Sequence, residues 1–264
     1  MKKVAILVIG ATHHPLYVNY VRNYWSSLIA YTNSQINHID IFLLFEHSTD
    51  LGEFQYLWDN IIQDPNSDLS LLCAKKYHNN VIPGILSKTI YAFELLQDKY
   101  DIFFRTNLSS VIKLSAFDNF VQNKETICYS GGFVWRDLLR QNLVDRNWVG
   151  PEKSIKALSE LDGYVGNTFF SGCGYLVSAR EIASLVAQKG KIRYDIVDDV
   201  SVGLMFSEYE VLRNFSMLVK PDIPVQDMII RIEKSKAPHV RLQHFPVQVA
   251  EEFWSEFIVS DAWK

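Results

Sequence analysis

Two short segments of this chain set reactive side chains at spacings that chemistry can use. Asp198-Asp199, opening the run Asp198-Asp199-Val200-Ser201-Val202-Gly203, puts two carboxylates side by side, and such a group can take a proton from a hydroxyl nucleophile. Upstream lies Phe170-Ser171-Gly172-Cys173-Gly174-Tyr175-Leu176-Val177-Ser178, whose Ser/Gly turn lets backbone approach a bound molecule closely. Plainer readings stand beside both. Aspartate favours helix starts, so the acidic pair is also a helix cap, and the Ser/Gly segment is also a simple turn. It is no dinucleotide fingerprint, because the third glycine is missing. Cys173, beside two glycines and without a neighbouring base, reads as packing rather than as a nucleophile.

The elements that must carry these residues follow from periodicity. Lys3–Ile9, His38–Phe45, Leu69–Ala74 and Asp101–Phe104 read as strands. Leu16–Tyr31, with Tyr17, Tyr20, Tyr24, Leu28 and Tyr31 at helical spacing, alternates with them, as do Phe54–Ile62 and Ile82–Gln97. This βαβαβαβ rhythm predicts an α/β fold with a mainly parallel sheet flanked by helices. Ligands of such sheets bind beyond the carboxyl ends of the strands, which brings Gly10–His14, Glu46-His47 and Arg105–Ser110 around one cleft. After Ser110 the rhythm turns irregular. Ile127–Tyr129 is a candidate strand, Gly131-Gly132 a turn, and Ile155–Leu161 a short helix. Phe169-Phe170 and Tyr175–Val177 flank the Ser/Gly turn, with helices expected over Arg180–Gln188 and Asp199–Phe206. No repeat or Ser/Gly linker divides the chain, so residues 1–264 are expected to form a single domain with a smaller, mixed C-terminal part.

Composition excludes several classes. The 264 residues are 48% hydrophobic, enough for a large core. A net charge of −4 offers no global attraction for nucleic acid. The three cysteines, Cys73, Cys128 and Cys173, form no CxxC, which argues against a zinc site or disulfide framework and fits a reducing compartment. Met1-Lys2-Lys3 before Val4–Gly10 has the outline of a signal peptide, but the apolar run is short and lacks a clear cleavage signal. No stretch reaches the ~20 apolar residues of a transmembrane helix. The expectation is a soluble, cytoplasmic chain.

Four places, taken in order, resemble the GT-A fold glycosyltransferases of the β-1,3-galactosyltransferase and Fringe type, over roughly Val81 to Phe206. Gly84-Ile85-Leu86-Ser87-Lys88-Thr89 resembles that family's Asn-Leu-Thr-Leu-Lys-Thr segment. Tyr100-Asp101-Ile102-Phe103-Phe104-Arg105-Thr106 resembles the strand leading into its metal-binding motif. The Ser-Gly-x-Gly-Tyr-x-x-Ser turn and the Asp-Asp-Val-x-Val-Gly run complete the set. The resemblance implies a GT-A domain with a nucleotide-binding half (1–110) and an acceptor-binding half (111–264). It implies an inverting transferase moving a hexose or hexosamine from a nucleotide sugar to a hydroxyl of a glycan, lipid-linked sugar or glycoprotein. The expected solubility, and not the resemblance, suggests cytosolic polysaccharide biosynthesis as the setting. A catalytically inactive nucleotide-sugar or glycan-binding protein is the alternative.

Roles then fall on particular residues. Asp199 is the implied base and Asp198 its positioning neighbour. Gly10, Ala11, Thr12, His13 and Glu46 face the nucleoside, and Lys88, Arg105, Thr106, Asn107 and Ser109 the phosphates. Ser171, Gly172, Cys173, Gly174 and Trp135 line the sugar or acceptor, with Trp135 part of a Gly132–Asp162 segment that also carries Arg136, Arg140, Arg146 and Trp148. One departure matters. Where the family has Asp-x-Asp to hold a divalent ion, this chain has Asn107, Leu108 and Ser109. Neutral oxygens hold a hard cation weakly. Asn107 with a late histidine, His244 ahead of His239, would be the remaining Mn²⁺ or Mg²⁺ ligands, or Lys88 and Arg105 would replace the metal. The expectation is weakened or absent metal dependence.

Overall fold

The structure is a computed structural model, and it describes residues 1–10, 15–46, 52–65, 84–135, 168–194 and 198–264. Strand β1 (Val4–Ile9) is buried along its whole length. Its alternate side chains enter two different cores, Val4, Ile6 and Val8 on one face, Ala5, Leu7 and Ile9 on the other. That is why its sequence is an unbroken apolar run: a strand covered on both faces has no solvent side to mark with polar residues. It pairs in parallel with β2 (Ile39–Glu46) and with β4 (Ile102–Asn107), and β2 pairs in parallel with β3 (Ile61–Asp64).

Seven strands form the main sheet, in the order β10-β6-β9-β4-β1-β2-β3. Beyond β4 come β9 (Gly174–Ser178), antiparallel to it, then β6 (Tyr129–Gly131), antiparallel to β9, and β10 (Tyr209–Val211), parallel to β6. The sheet is thus mainly parallel, with one reversed strand lying next to β4. Helix α1 (Pro15–Tyr20), a π-helical turn (Val21–Trp25) and α2 (Ser26–Gln35) cover one face. Helix α3 (Gly84–Leu96) and α5 (Ala179–Ala187) cover the other. Ser178 caps α5 by accepting the Glu181 N–H.

A smaller mixed sheet, in the order β11-β12-β5, joins β5 (Ser110–Ile112) to β11 (Ser216–Val219) and β12 (His239–Leu242). It is backed by α4 (Leu114–Asn123), α7 (Val225–Lys234) and α8 (Val247–Ser260), whose Phe253, Trp254 and Phe257 enter the first core. Two further strands, β7 (Val134–Trp135) and β8 (Phe169–Phe170), pair antiparallel, and α6 (Asp198–Leu204) packs against β8. No helix among the described residues is long and apolar enough to cross a membrane.

Several boundaries differ from the expected ones. Phe54–Ile62 is not one helix: a 3-10 segment ends at Asn60, and Ile61-Ile62 open β3. The apolar spacing there serves a short 3-10 face and then a buried strand edge. The expected strand Leu69–Ala74 and helix Ile155–Leu161 lie outside the described residues. Gly131 is not in a turn but ends β6, a strand that starts at Tyr129 rather than Ile127. The Leu16–Tyr31 helix contains the π turn, which widens its buried face so that Tyr20, Val21, Tyr24 and Trp25 all point inward.

Candidate functional site

The connector between β4 and β5 is held from behind by that widened face. The Trp25 indole N–H donates to the Leu108 carbonyl at 2.8 Å. The Tyr24 hydroxyl accepts the Ile112 N–H at 2.7 Å and lies 3.1 Å from the Ile112 carbonyl. These bonds fix Asn107-Leu108-Ser109, with Leu108 buried, at the carboxyl end of β4, where the parallel strands open onto solvent.

A cavity of about 510 Å³ lies there, lined by Arg105, Asn107, Ser171, Gly172, Cys173, Asp198, Asp199, Arg241, Gln243 and His244, with Ile85, Phe133 and Leu218 as its apolar surfaces. It joins the end of the main sheet to the end of the small one. Asp199 and Asn107, far apart in sequence, share it. Consecutive residues of a helix point about 100° apart, so the two aspartates at the start of α6 engage different partners. Asp198 takes a 2.6 Å bond from the Arg105 Nη2, both side chains being buried. Asp199 accepts the Gly172 N–H at 3.2 Å and the Val200 N–H at 3.0 Å.

Burial, and next the charge of Asp198, raise the Asp199 carboxyl to about 7, against the pull of the Gly172 N–H and Arg105. A carboxyl that titrates near neutrality is suited to proton transfer. Arg105 is only partly satisfied. Its Nε and Nη1 are buried without a hydrogen-bond partner among the described residues, while its guanidinium carbon stands 5.8 Å from the Tyr175 ring centroid.

The two glycines of the Ser/Gly turn make room for side chains. A Cβ on Gly172 would stand 2.4 Å from Arg105 Nη1, and one on Gly174 would stand 2.6 Å from the His239 ring. Ser171, Gly172 and Cys173 line the cavity, whereas Gly174 lies within β9. Burial also pushes the Cys173 thiol up, away from the thiolate a nucleophile needs. Thr106 is buried and donates to the Cys173 carbonyl at 2.7 Å. Lys88 is buried rather than solvated, and its Nζ donates to the Gly10 carbonyl at 2.9 Å, tying α3 to the end of β1. Glu46 ends β2, next to β1.

Ala11, Thr12, His13, and Arg136, Arg140, Arg146 and Trp148 lie outside the described residues. Trp135 belongs to β7. The two late histidines part company. His239 is fully buried, 2.8 Å from Ser216 Oγ through Nδ1, and burial, then Arg241, lower it to about 3, so its imidazole stays neutral. His244 lines the cavity with a left-handed backbone, φ 59°.

Sequence reasoning missed Arg241. It stands on β12, two residues from His239 and so on the same side of the strand. Its Nη1 donates to the Ser109 carbonyl at 3.3 Å and to the Ser109 hydroxyl. The alternation His239, Arg241, Gln243 was the available signal, but the segment sits among prolines and reads as tail.

No family model matches this chain, and no curated protein matches it. Solved structures similar in fold include a galactosyltransferase, LgtC, in complex with donor and acceptor sugar analogs (11% identity, 98% of this chain and 95% of that one, TM-score 0.49). Others are a glycosyltransferase involved in glycosylation of the major capsid of PBCV-1 (9%, 96% and 99%, TM-score 0.47) and the apo form of mouse xyloside xylosyltransferase 1 (12%, 83% and 87%, TM-score 0.41).

Proposed function

We propose that this chain is an inverting GT-A glycosyltransferase, transferring a hexosyl or hexosaminyl group from a nucleotide sugar to a hydroxyl of a glycan, lipid-linked or glycoprotein acceptor. One observation carries the reading: Asp199 opens onto a cavity beyond the carboxyl end of β4, and its carboxyl is raised to about 7. In the reaction, the Asp199 carboxylate takes the acceptor hydroxyl proton as that oxygen bonds to the anomeric carbon. The bond from that carbon to the diphosphate oxygen breaks on the opposite face, and the nucleoside diphosphate leaves with the bonding pair. The configuration at the carbon inverts. Asp198 is a positioning residue, acting through Arg105. Residues 1–110 supply the donor side and 111–264 the acceptor side of a single domain.

The test is turnover of UDP-, GDP-, CMP- and TDP-sugars by the wild type and by Asp199→Asn. Loss of transfer by about 10²–10⁴-fold, with donor binding kept and an inverted anomeric centre in the product, is the expected result. A retained configuration, or an Asn variant within threefold of wild type, overturns it. The neutral side chains at Asn107 and Ser109 favour a second reading, a nucleotide-sugar-binding protein without turnover. Donor binding with no transfer to any acceptor would select it.

A further inference from the structure

The GT-A resemblance implies a divalent ion on the donor diphosphate, and the residues here do not fit one. Asn107 offers an amide oxygen and His244 an imidazole nitrogen, neither with the formal negative charge that hard cations prefer. Leu108 is apolar and buried, and the Ser109 hydroxyl is already taken by Arg241. The cavity's two carboxylates are engaged as well, Asp198 by Arg105 and Asp199 by the Gly172 N–H. Among the described residues no group of three His, Cys, Asp or Glu is gathered for a metal.

Two guanidinium groups stand there instead. Arg241 rests on a neutral serine and has no carboxylate partner among the described residues. Arg105, 2% exposed, keeps Nε and Nη1 buried and without a partner among the described residues. Donors left this way are costly unless an acceptor reaches them. The two side chains come from different sheets, β4 and β12, and line one cavity. A guanidinium fork matches phosphate oxygens in pairs, which gives direction as well as charge.

We infer that Arg241, with Arg105 behind it, is the cationic clamp for the donor diphosphate, and that this chain binds its donor without a metal ion. The clamp rests on the transferase reading and deepens it: as the bond to the sugar breaks, the charge growing on the leaving oxygen is met by the Arg241 guanidinium, with the buried Arg105 behind it.

The probe is inorganic pyrophosphate, titrated calorimetrically in excess EDTA and then in Mn²⁺. The wild type is expected to bind in EDTA, with a Kd that Mn²⁺ changes by less than threefold. Arg241→Gln should weaken binding at least tenfold, and Arg241→Lys less. Ser109→Asp is the discriminating variant, since the two mechanisms give it opposite signs. A carboxylate there would pair with Arg241 and weaken pyrophosphate binding at least tenfold. Were a metal the true partner, the same carboxylate would strengthen Mn²⁺-dependent binding. Binding only with Mn²⁺, no binding in either condition, or a Ser109→Asp gain in Mn²⁺ each overturn the clamp. These outcomes are independent of turnover. Transfer that survives Arg241→Gln within twofold would sink the clamp and leave the transferase, whereas tight Arg241-dependent binding without transfer would do the reverse.

Discussion

On the wall of the cavity built by the large sheet, Arg105 is nearly enclosed and bonds a carboxylate, Asp198, at 2.6 Å. On the wall built by the small sheet, Arg241 is half-buried and, among the described residues, bonds only a serine hydroxyl and a carbonyl. The same residue type therefore holds two different energetic positions. Arg105 and Asp198 together left water and depend on each other, because the cost of burying either charge is met by its partner. Arg241 keeps part of its hydration and surrenders little by turning towards a ligand. One wall fixes geometry, and the other is available to an anion.

Removing one member of the enclosed pair should break that contrast most forcefully. Arg105→Met leaves Asp198 buried and unpaired, a loss of about 3–5 kcal/mol. In a chain of this size that lowers Tm by roughly 10 °C. The double variant Arg105→Met/Asp198→Leu should recover much of it, since two apolar side chains can replace a buried pair. Thermal unfolding of the three proteins checks this, and a single variant no less stable than wild type would mean the pair holds nothing in place.

Asp199 gives a pH-dependent test. Its carboxyl in the folded chain titrates at about 7, above the ordinary 3.8, so the folded state retains a proton that the unfolded chain releases. The stability this brings is fully present below about pH 4 and is lost as pH rises through about 7. Asp199→Asn carries no such charge, but its single amide oxygen can serve only one of the two backbone N–H groups, Gly172 and Val200, that Asp199 accepts. It should lie about 1 kcal/mol below wild type near pH 4 and gain on it by a few kcal/mol between pH 4 and pH 8, each tenfold change in proton affinity being worth about 1.4 kcal/mol. Denaturant melts at the two pH values decide this, and a difference that does not change with pH would show that the group is not poised for proton transfer.

How much of this was legible depended on burial pattern. β1, β2 and β4 are long and covered on both faces, so Val4–Ile9, Ile41–Phe45 and Ile102–Phe104 stand out as apolar runs. Strands β5, β11 and β12 are three or four residues long, with polar side chains such as Ser110, Ser216, His239 and Arg241 turned into the molecule. Nothing local separates them from loop, and pairing from distant parts of the chain defines them. The site split the same way. Asp199, Asn107 and Ser171-Gly172-Cys173, which line the cavity, belong to short local runs, whereas placing Arg241 beside them needed the pairing of β12 with β5. The glycines of the turn did report a close approach, but Arg105 and His239 are what come close to Gly172 and Gly174.

Gly174→Ala probes the seam where the two sheets meet. Its new methyl would stand 2.6 Å from the ring of a fully buried histidine that is also bonded to Ser216. A locked ring cannot step aside as a flexible chain end can, so the expected loss is about 1–3 kcal/mol. Gly172→Ala meets the end of the Arg105 side chain and should cost less in stability, while disturbing the bond to Asp198. Comparing the two by chemical denaturation ranks the seam against the pair; equal losses would show that Arg105 is packed as tightly as His239.

The smallest effect on stability should come from Arg241→Gln, and its smallness is what separates the walls. The side chain is half-buried, its two bonds go to Ser109, and water can replace them once the guanidinium is gone. A change within about 0.5 kcal/mol is expected, as for surface substitutions that touch no core, cap or buried charge. A drop in Tm approaching that of Arg105→Met would instead make Arg241 a brace between β12 and the Ser109 connector. It would then be held for structure, as Arg105 is, and the asymmetry that leaves one guanidinium available to a diphosphate would disappear.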